Sequence, residues 1–291
     1  MRQPVVLIGA FLEHRRLRAW AFDADGEVVA HHVAALDASG SVDECCVQTR
    51  FHLNEWLGEA PAVPVIAAGF ARYSGGMDVP GLLPVPVRIE EIPNHLVLHH
   101  GLNLVPGLRQ NSPPDYVCGQ EVMLGGLDDP GELVCIPGQH SLHLTIEHGR
   151  ILDVSTELTL QIRDAVLRAE RAWKPAMAQA FDRAVFCEWL ERSLDPDDAA
   201  SPFAAEAACV AGLLKDCHYA CALDGLMIGA EISAHYEPGD DVCLIADGAL
   251  AETYALALEA LDVDVTIYGA EESLKDGLFE MADLAGLLED E

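Results

Sequence analysis

The chain has 291 residues, 51% of them hydrophobic, and 48 acidic side chains against 17 basic ones give a formal charge of -31. That length and apolar content bury a large core and favour two domains. So acidic a surface lacks the basic patches that hold phosphate backbones, which excludes nucleic acid and anionic membranes as partners.

At the N-terminus, Val5 to Ile8, Leu17 to Phe22 and Glu27 to Val33 read as strands, with a turn at Asp23-Ala24-Asp25-Gly26, and a helical stretch follows around Asp43 to Leu57. Pro64 to Ala68 reads as a strand running into the glycine-rich loop Gly69 to Gly76, where backbone either turns sharply or lets a ligand come close. Pro80 to Pro93 is proline-rich and is expected to be extended. Gly119-Gln120-Glu121 opens a short apolar helix, and Glu121 is either a carboxylate of the site or a first-turn acid serving the helix dipole. Asp128-Asp129-Pro130-Gly131 is the clearest boundary signal, dividing the chain into 1-130 and 131-291.

The second half repeats the order of the first. Apolar runs around Val134, Leu142 to Ile146 and Ile151 to Val154 make three strands turning at Pro137-Gly138 and His148-Gly149, and a helix opens near Thr159. Helical segments are expected at Thr159 to Trp173, Ala176 to Ser193 and Pro202 to Ile232, then a β-α-β-α ending from Val242 to Leu288. Two β-β-β-α units, nearly half the chain apart, predict an α/β protein of two ribonuclease-H-like domains facing a cleft.

Nine cysteines without a Cys-x-x-Cys spacing read as reduced, mostly buried thiols. Cys217, His218 and Cys221 lack the second ligand pair of a structural zinc site, so no metal ligand is assigned. His95 and His99 are spaced to share a helix face. With His100 and His143 they read as surface or capping histidines, whereas His140 follows the Pro-Gly turn, where its ring could meet an anion. No apolar run approaches the roughly 20 residues of a membrane span and the N-terminus has no signal-peptide pattern, so a cytoplasmic protein is expected.

Leu17-Arg18-Ala19-Trp20, the Gly69 to Met77 loop, Val105 to Leu108, Gly119-Gln120-Glu121, Pro137 to His140, Gly225 to Glu231 and Gly277, taken in order, resemble the 2-dehydro-3-deoxygalactonokinases. These are sugar-acid kinases of the actin-like ATPase superfamily. The resemblance implies ATP and Mg2+ as cofactors and phosphorylation of 2-dehydro-3-deoxy-D-galactonate in galactonate breakdown. It places Glu121 in the catalytic role and Gly75, Gly76 and Gly119 at the sugar acid, on the side of 1-130. Arg18, Pro137, Gly138, His140, Thr159 and Gly248 fall to the nucleotide and its phosphates, which are carried mainly by 131-291. A homodimer is compatible with it.

Some positions depart from that pattern. Phe11 and Glu13 stand where the family carries the aspartate and glycine of an Asp-Trp-Gly-Ser/Thr run, Gln139 replaces a threonine, and Asp247 lies in the adenosine-side loop. A phenyl ring has no oxygen with which to hold a metal cation, and a carboxylate in a phosphate cradle repels its ligand. The chain therefore reads either as a sugar-acid kinase or as a catalytically impaired relative that binds a sugar acid or nucleotide in a regulatory role.

Overall fold

The computed structural model describes residues 4–37, 40–59, 63–73, 79–171, 181–195, 197 and 201–288. They form two compact units, the first made of Met1–Pro130, Leu144–Val154 and Gly269–Glu291, the second of Gly131–His143 and Ser155–Tyr268. No helix among the described residues is long and apolar enough to cross a membrane.

In unit 1, β1 (Leu7–Glu13), β2 (Arg16–Phe22) and β3 (Val28–Ala35) form an antiparallel meander. Helices α1 (Val42–His52) and α2 (Asn54–Glu59) lead to β4 (Val65–Ala68), which pairs parallel to β1. β5 (Leu82–Pro84), β6 (Val87–Arg88), β7 (Val97–His99) and β8 (Leu102–Leu104) follow, and the main sheet runs β3-β2-β1-β4-β8-β7. β9 (Gly107–Asn111) and β10 (Pro114–Val117) make a three-stranded sheet with β5. β1 and β4 are central, so they are apolar on both faces and fully buried but for Glu13, whereas β3 alternates at its exposed positions. Ile8, Ala10, Leu12, Leu17 and Ala19 send one face of the meander into a core with Val42, Cys45 and Cys46 of α1. α1 starts where Ser41 Oγ accepts the Glu44 N–H at 3.2 Å, with Asp43 and Glu44 at its positive end.

Unit 2 repeats the plan. β11 (Leu133–Ile136), β12 (Ser141–Glu147) and β13 (Arg150–Glu157) are joined by connections too short for anything but antiparallel pairing. After α3 (Thr159–Arg171), α4 (Arg183–Leu194), α5 (Phe203–Val210) and α6 (Tyr219–His235), β14 (Asp241–Ile245) pairs parallel to β11. α7 (Gly248–Ala260) then returns the chain to β15 (Asp264–Tyr268), giving the order β15-β14-β11-β12-β13. Most of the β12–β13 hairpin, Leu144–Val154, groups with unit 1, where Arg150 and Ile151 pair with Arg88 and Val87 of β6. Both main sheets thus have the ribonuclease-H-like order expected of the actin-like ATPase superfamily, a meander whose first strand is flanked by the fourth.

Several local expectations are corrected. Pro202 to Ile232 is not one helix: it breaks after α5, where Gly212 turns left-handed at φ 71°, and resumes as α6. His95 ends a 3-10 helix (Ile89–His95) while His99 ends β7, so they share no helix face. Of the extended chain expected from Pro80 to Pro93, β5 and β6 are extended strands, and the departure begins at Ile89, where the 3-10 helix starts. The last helix, α8 (Ala270–Leu284), packs against the 3-10 helix Gln120–Gly126 and β1 of unit 1. Gly277 and Gly126 permit that approach, because a Cβ on Gly277 would strike the Val122 carbonyl. Gly75, Gly76 and the start of the expected Ala176 to Ser193 helix lie outside the described residues.

Candidate functional site

The strand alternation that sends Ala10 and Leu12 to the core turns Phe11 to the opposite face, where it is 1% exposed. Arg18 is its cross-strand partner on β2, and the guanidinium carbon lies 5.1 Å from the Phe11 ring centroid and 5.7 Å from that of Trp20. Such cation-π contacts hold a charge over an apolar surface. Arg18 also pairs with Glu271 at 3.9 Å, with a side chain only 22% exposed.

Gly119 closes over this ring. Its φ of 106° and ψ of -34° belong to glycine, and a Cβ there would lie 2.7 Å from Phe11 Cε2 and 3.0 Å from the Gly69 Cα. Gly119 caps the 3-10 helix Gln120–Gly126, in whose first turn Glu121 is buried, and Glu121 Oε2 accepts the Gly119 N–H at 2.6 Å. Among the described residues Oε1 has no hydrogen-bond partner. Burial pushes the Glu121 carboxyl up to about 7 against the pull of that backbone donor, so it exchanges a proton near neutrality. Burial likewise pushes the neighbouring Cys118 thiol up to about 12, leaving it protonated and inert.

In unit 2 the turn between β11 and β12 holds Pro137 buried and Gly138 half-buried. A Cβ on Gly138 would meet only the His140 backbone, at 3.4 Å, so space lies in front of it. Gln139 donates to Asp164 at 3.2 Å and the His140 Nε2 meets Gln161 at 3.2 Å. Gly248 opens α7 with a left-handed φ of 56°, after an exposed Asp247 at the N-cap. Thr159, at the start of α3, is buried and hydrogen-bonds inward to Glu231.

Glu231 is the centre of a buried polar network. Gly225 and Gly229 let α6 cross close to α4, since Cβ atoms there would press on the Phe186 carbonyl and on Leu190 and Ser193. That crossing carries Glu231 to within 3.1 Å of the His143 Nε2 and 3.0 Å of the Tyr254 hydroxyl, which itself meets Ser141 at 3.0 Å. The His143 Nδ1 faces the Tyr236 hydroxyl at 2.8 Å, and its ring stacks on His235 at 3.9 Å. Burial raises the Glu231 pKa, but donation from His143, Thr159 and Tyr254 outweighs it and holds the carboxyl below its ordinary value. Burial lowers the His143 pKa, so the ring is neutral: its Nε2–H donates a hydrogen bond to Glu231, which leaves Nδ1 as an acceptor facing the Tyr236 hydroxyl.

The sequence profile of the 2-keto-3-deoxy-galactonokinase family matches residues 14–281. The chain belongs to this family. It is 28% identical over 284 residues to a "Probable 2-dehydro-3-deoxygalactonokinase", DgoK1, of Rhizobium meliloti (strain 1021), covering 90% of this chain and 91% of the relative. It also superposes with a TM-score of 0.82 on the crystal structure of a "putative 2-dehydro-3-deoxygalactonokinase protein" from Sinorhizobium meliloti, at 26% identity over 95% of this chain and 98% of that one.

Magnesium takes oxygen ligands, and position 11 offers a buried ring with a guanidinium over it, so the residues there do not fit the ion. At the 137–140 turn, Gln139 and His140 are engaged with the acidic Asp164 and with Gln161. His143 is corrected from a surface to a buried histidine, 4% exposed. The network around Glu231 was missed in the sequence reading, although its signal was present: Glu231 ends the Gly225 to Glu231 run that carries the resemblance.

Proposed function

We propose that this family member binds a 2-keto-3-deoxy sugar acid and transfers phosphoryl from ATP to it only slowly. Unit 1, with the segments around Gly69 to Gly76 and Gly119 to Glu121, is the acceptor side, and unit 2, with Pro137 to His140 and Gly248, is the nucleotide side. The observation that carries the reading is the buried Phe11 under Arg18, where the resemblance calls for a carboxylate. Phosphoryl transfer rests on positioning and on charge placed around the moving group. Here the ring is held by burial, worth about 1.5 to 3 kcal/mol for a side chain of its size, and position 11 has no oxygen with which to hold Mg2+, so Arg18 beside it is left as the cation that faces developing charge.

The test is coupled ADP release on the purified chain with ATP, Mg2+ and 2-dehydro-3-deoxy-D-galactonate, beside an active relative. Loss of two electrostatic contacts, at about 2.7 to 4 kcal/mol each and partly additive, lowers turnover by about three to five powers of ten. The paired change Phe11→Asp and Glu13→Gly is expected to recover part of it. Calorimetry is expected to show the sugar acid binding and ATP-Mg2+ binding weakly, and ordinary turnover by the unmodified chain overturns the reading.

A second reading, a working kinase with Glu121 as the base for the acceptor hydroxyl, is favoured by one observation. A carboxyl pushed up to about 7 both takes and releases a proton at neutral pH. In that case turnover is ordinary, its pH profile breaks near 7, and Glu121→Gln abolishes it.

A further inference from the structure

Asp43, His99 and His100 form, among the described residues, a cluster whose ligand atoms all lie within 4.8 Å of one another. All three belong to unit 1, and none takes part in the function proposed above. The Asp43 Oδ1 is 2.6 Å from the His99 Nε2 and 3.1 Å from the His100 Nε2, and the two rings stand edge to face at 4.5 Å.

Capping and backbone hydrogen bonds position all three. Asp43 lies in the first turn of α1, fixed by the Ser41 cap. His99 is the last residue of β7, and His100 takes a left-handed φ of 48° in the tight turn to β8, a conformation rare outside glycine. Seven residues along α1 from Asp43, Arg50 Nη1 donates to the carbonyls of His100 at 3.2 Å and Gly101 at 3.1 Å. One helix therefore both ties down the turn and supplies the carboxylate that both rings face.

We infer that Asp43, His99 and His100 are a binding site for a first-row transition-metal dication of the zinc type, clipping the β7–β8 turn to α1. Two imidazole nitrogens and one carboxylate oxygen suit zinc, cobalt or nickel, whereas magnesium and calcium require mainly oxygen ligands. Bonds of about 2.0 to 2.2 Å place tetrahedral ligands about 3.3 to 3.5 Å apart. The separations of 2.6 and 3.1 Å thus open by only a few tenths of an ångström, or somewhat more for His99, on side chains with room to move. Each ring faces Asp43 through Nε2, and an Nε2 proton there is given up to water when a metal binds, leaving the Nε2 lone pair for the ion. The side chains are 58%, 26% and 42% exposed, so an ion enters from solvent and keeps water in its remaining positions.

The chain holds 12 histidines and nine cysteines, so the test separates this site from the rest. The untagged full chain, stripped with chelator, is titrated with ZnCl2 by calorimetry, with MgCl2 as control. The double variant His99→Gln and His100→Gln is expected to lose one equivalent of zinc or to bind it at least about tenfold more weakly, and Asp43→Asn to weaken it by a similar factor. Unchanged stoichiometry and affinity in the double variant overturns the proposal. Should that variant fail to fold, diethylpyrocarbonate footprinting of the unmodified chain decides. Zinc is expected to protect His99 and His100 from acylation, and equal labelling with and without zinc overturns the site.

Discussion

Two glutamates are buried to nearly the same degree, one in each unit, and the surroundings drive them in opposite directions. Glu121 is 1% exposed and receives only backbone N–H donors, from Gly119 and from its own residue, so burial wins and its carboxyl rises to about 7. Glu231 is 5% exposed and receives donors from His143, Tyr254 and Thr159, so the donors win and its carboxyl falls below the ordinary value. Burial alone does not fix a protonation state; the number of donors aimed at the anion does. One acid is left poised to exchange a proton and the other is a permanently charged hub of the fold.

The largest effect comes from removing the hub. Glu231→Ala leaves His143 and Tyr254 facing a void in unit 2, and urea denaturation is expected to show a loss of about 3 to 5 kcal/mol. A loss below about 1 kcal/mol means that the network carries little, and the contrast between the two acids collapses.

The pH dependence of Glu121 tests the other side. Its folded pKa is about 7 against an ordinary 4.5, so across that window the unfolded chain has released the proton while the folded chain retains it. Stability from this group is therefore present below pH 4.5 and falls by about 3 kcal/mol by pH 7, then stays level. Subtracting the stability curve of Glu121→Gln from that of the unmodified chain isolates this slope. A flat difference shows that Glu121 ionises normally.

Gly119→Ala sharpens the same point by disturbing the Gly119 N–H that donates to Glu121. A side chain at φ 106° pressed on Phe11 and Gly69 costs about 2 to 3 kcal/mol, read from thermal unfolding. An unchanged midpoint shows that the turn relaxes freely. Tyr254→Phe, the mildest change, removes one hydrogen bond to a charged acceptor and is expected to cost about 2 kcal/mol and to raise the Glu231 pKa. Wild-type stability in that variant makes Tyr254 a spectator.

What the sequence determined by itself is the local order. Alternating apolar residues, the turns at Asp23 to Gly26 and His148-Gly149, and the repeated meander put both ribonuclease-H-like sheets within reach, because strand period and turn chemistry are properties of neighbouring residues. The ordered motifs from Arg18 to Gly277 carried the family. The sequence could not show that α8 packs on the 3-10 helix Gln120–Gly126, that α6 brings Glu231 to His143 across 88 positions, or that Asp43 meets His99 and His100 across 56 and 57. Those pairings are settled by which faces can approach, at Gly277 against Val122 and at Gly225 against Phe186, and close packing of backbone on backbone leaves no trace in local periodicity. The pKa of each buried acid follows from the same cause, since the donors that decide it arrive from elsewhere in the chain.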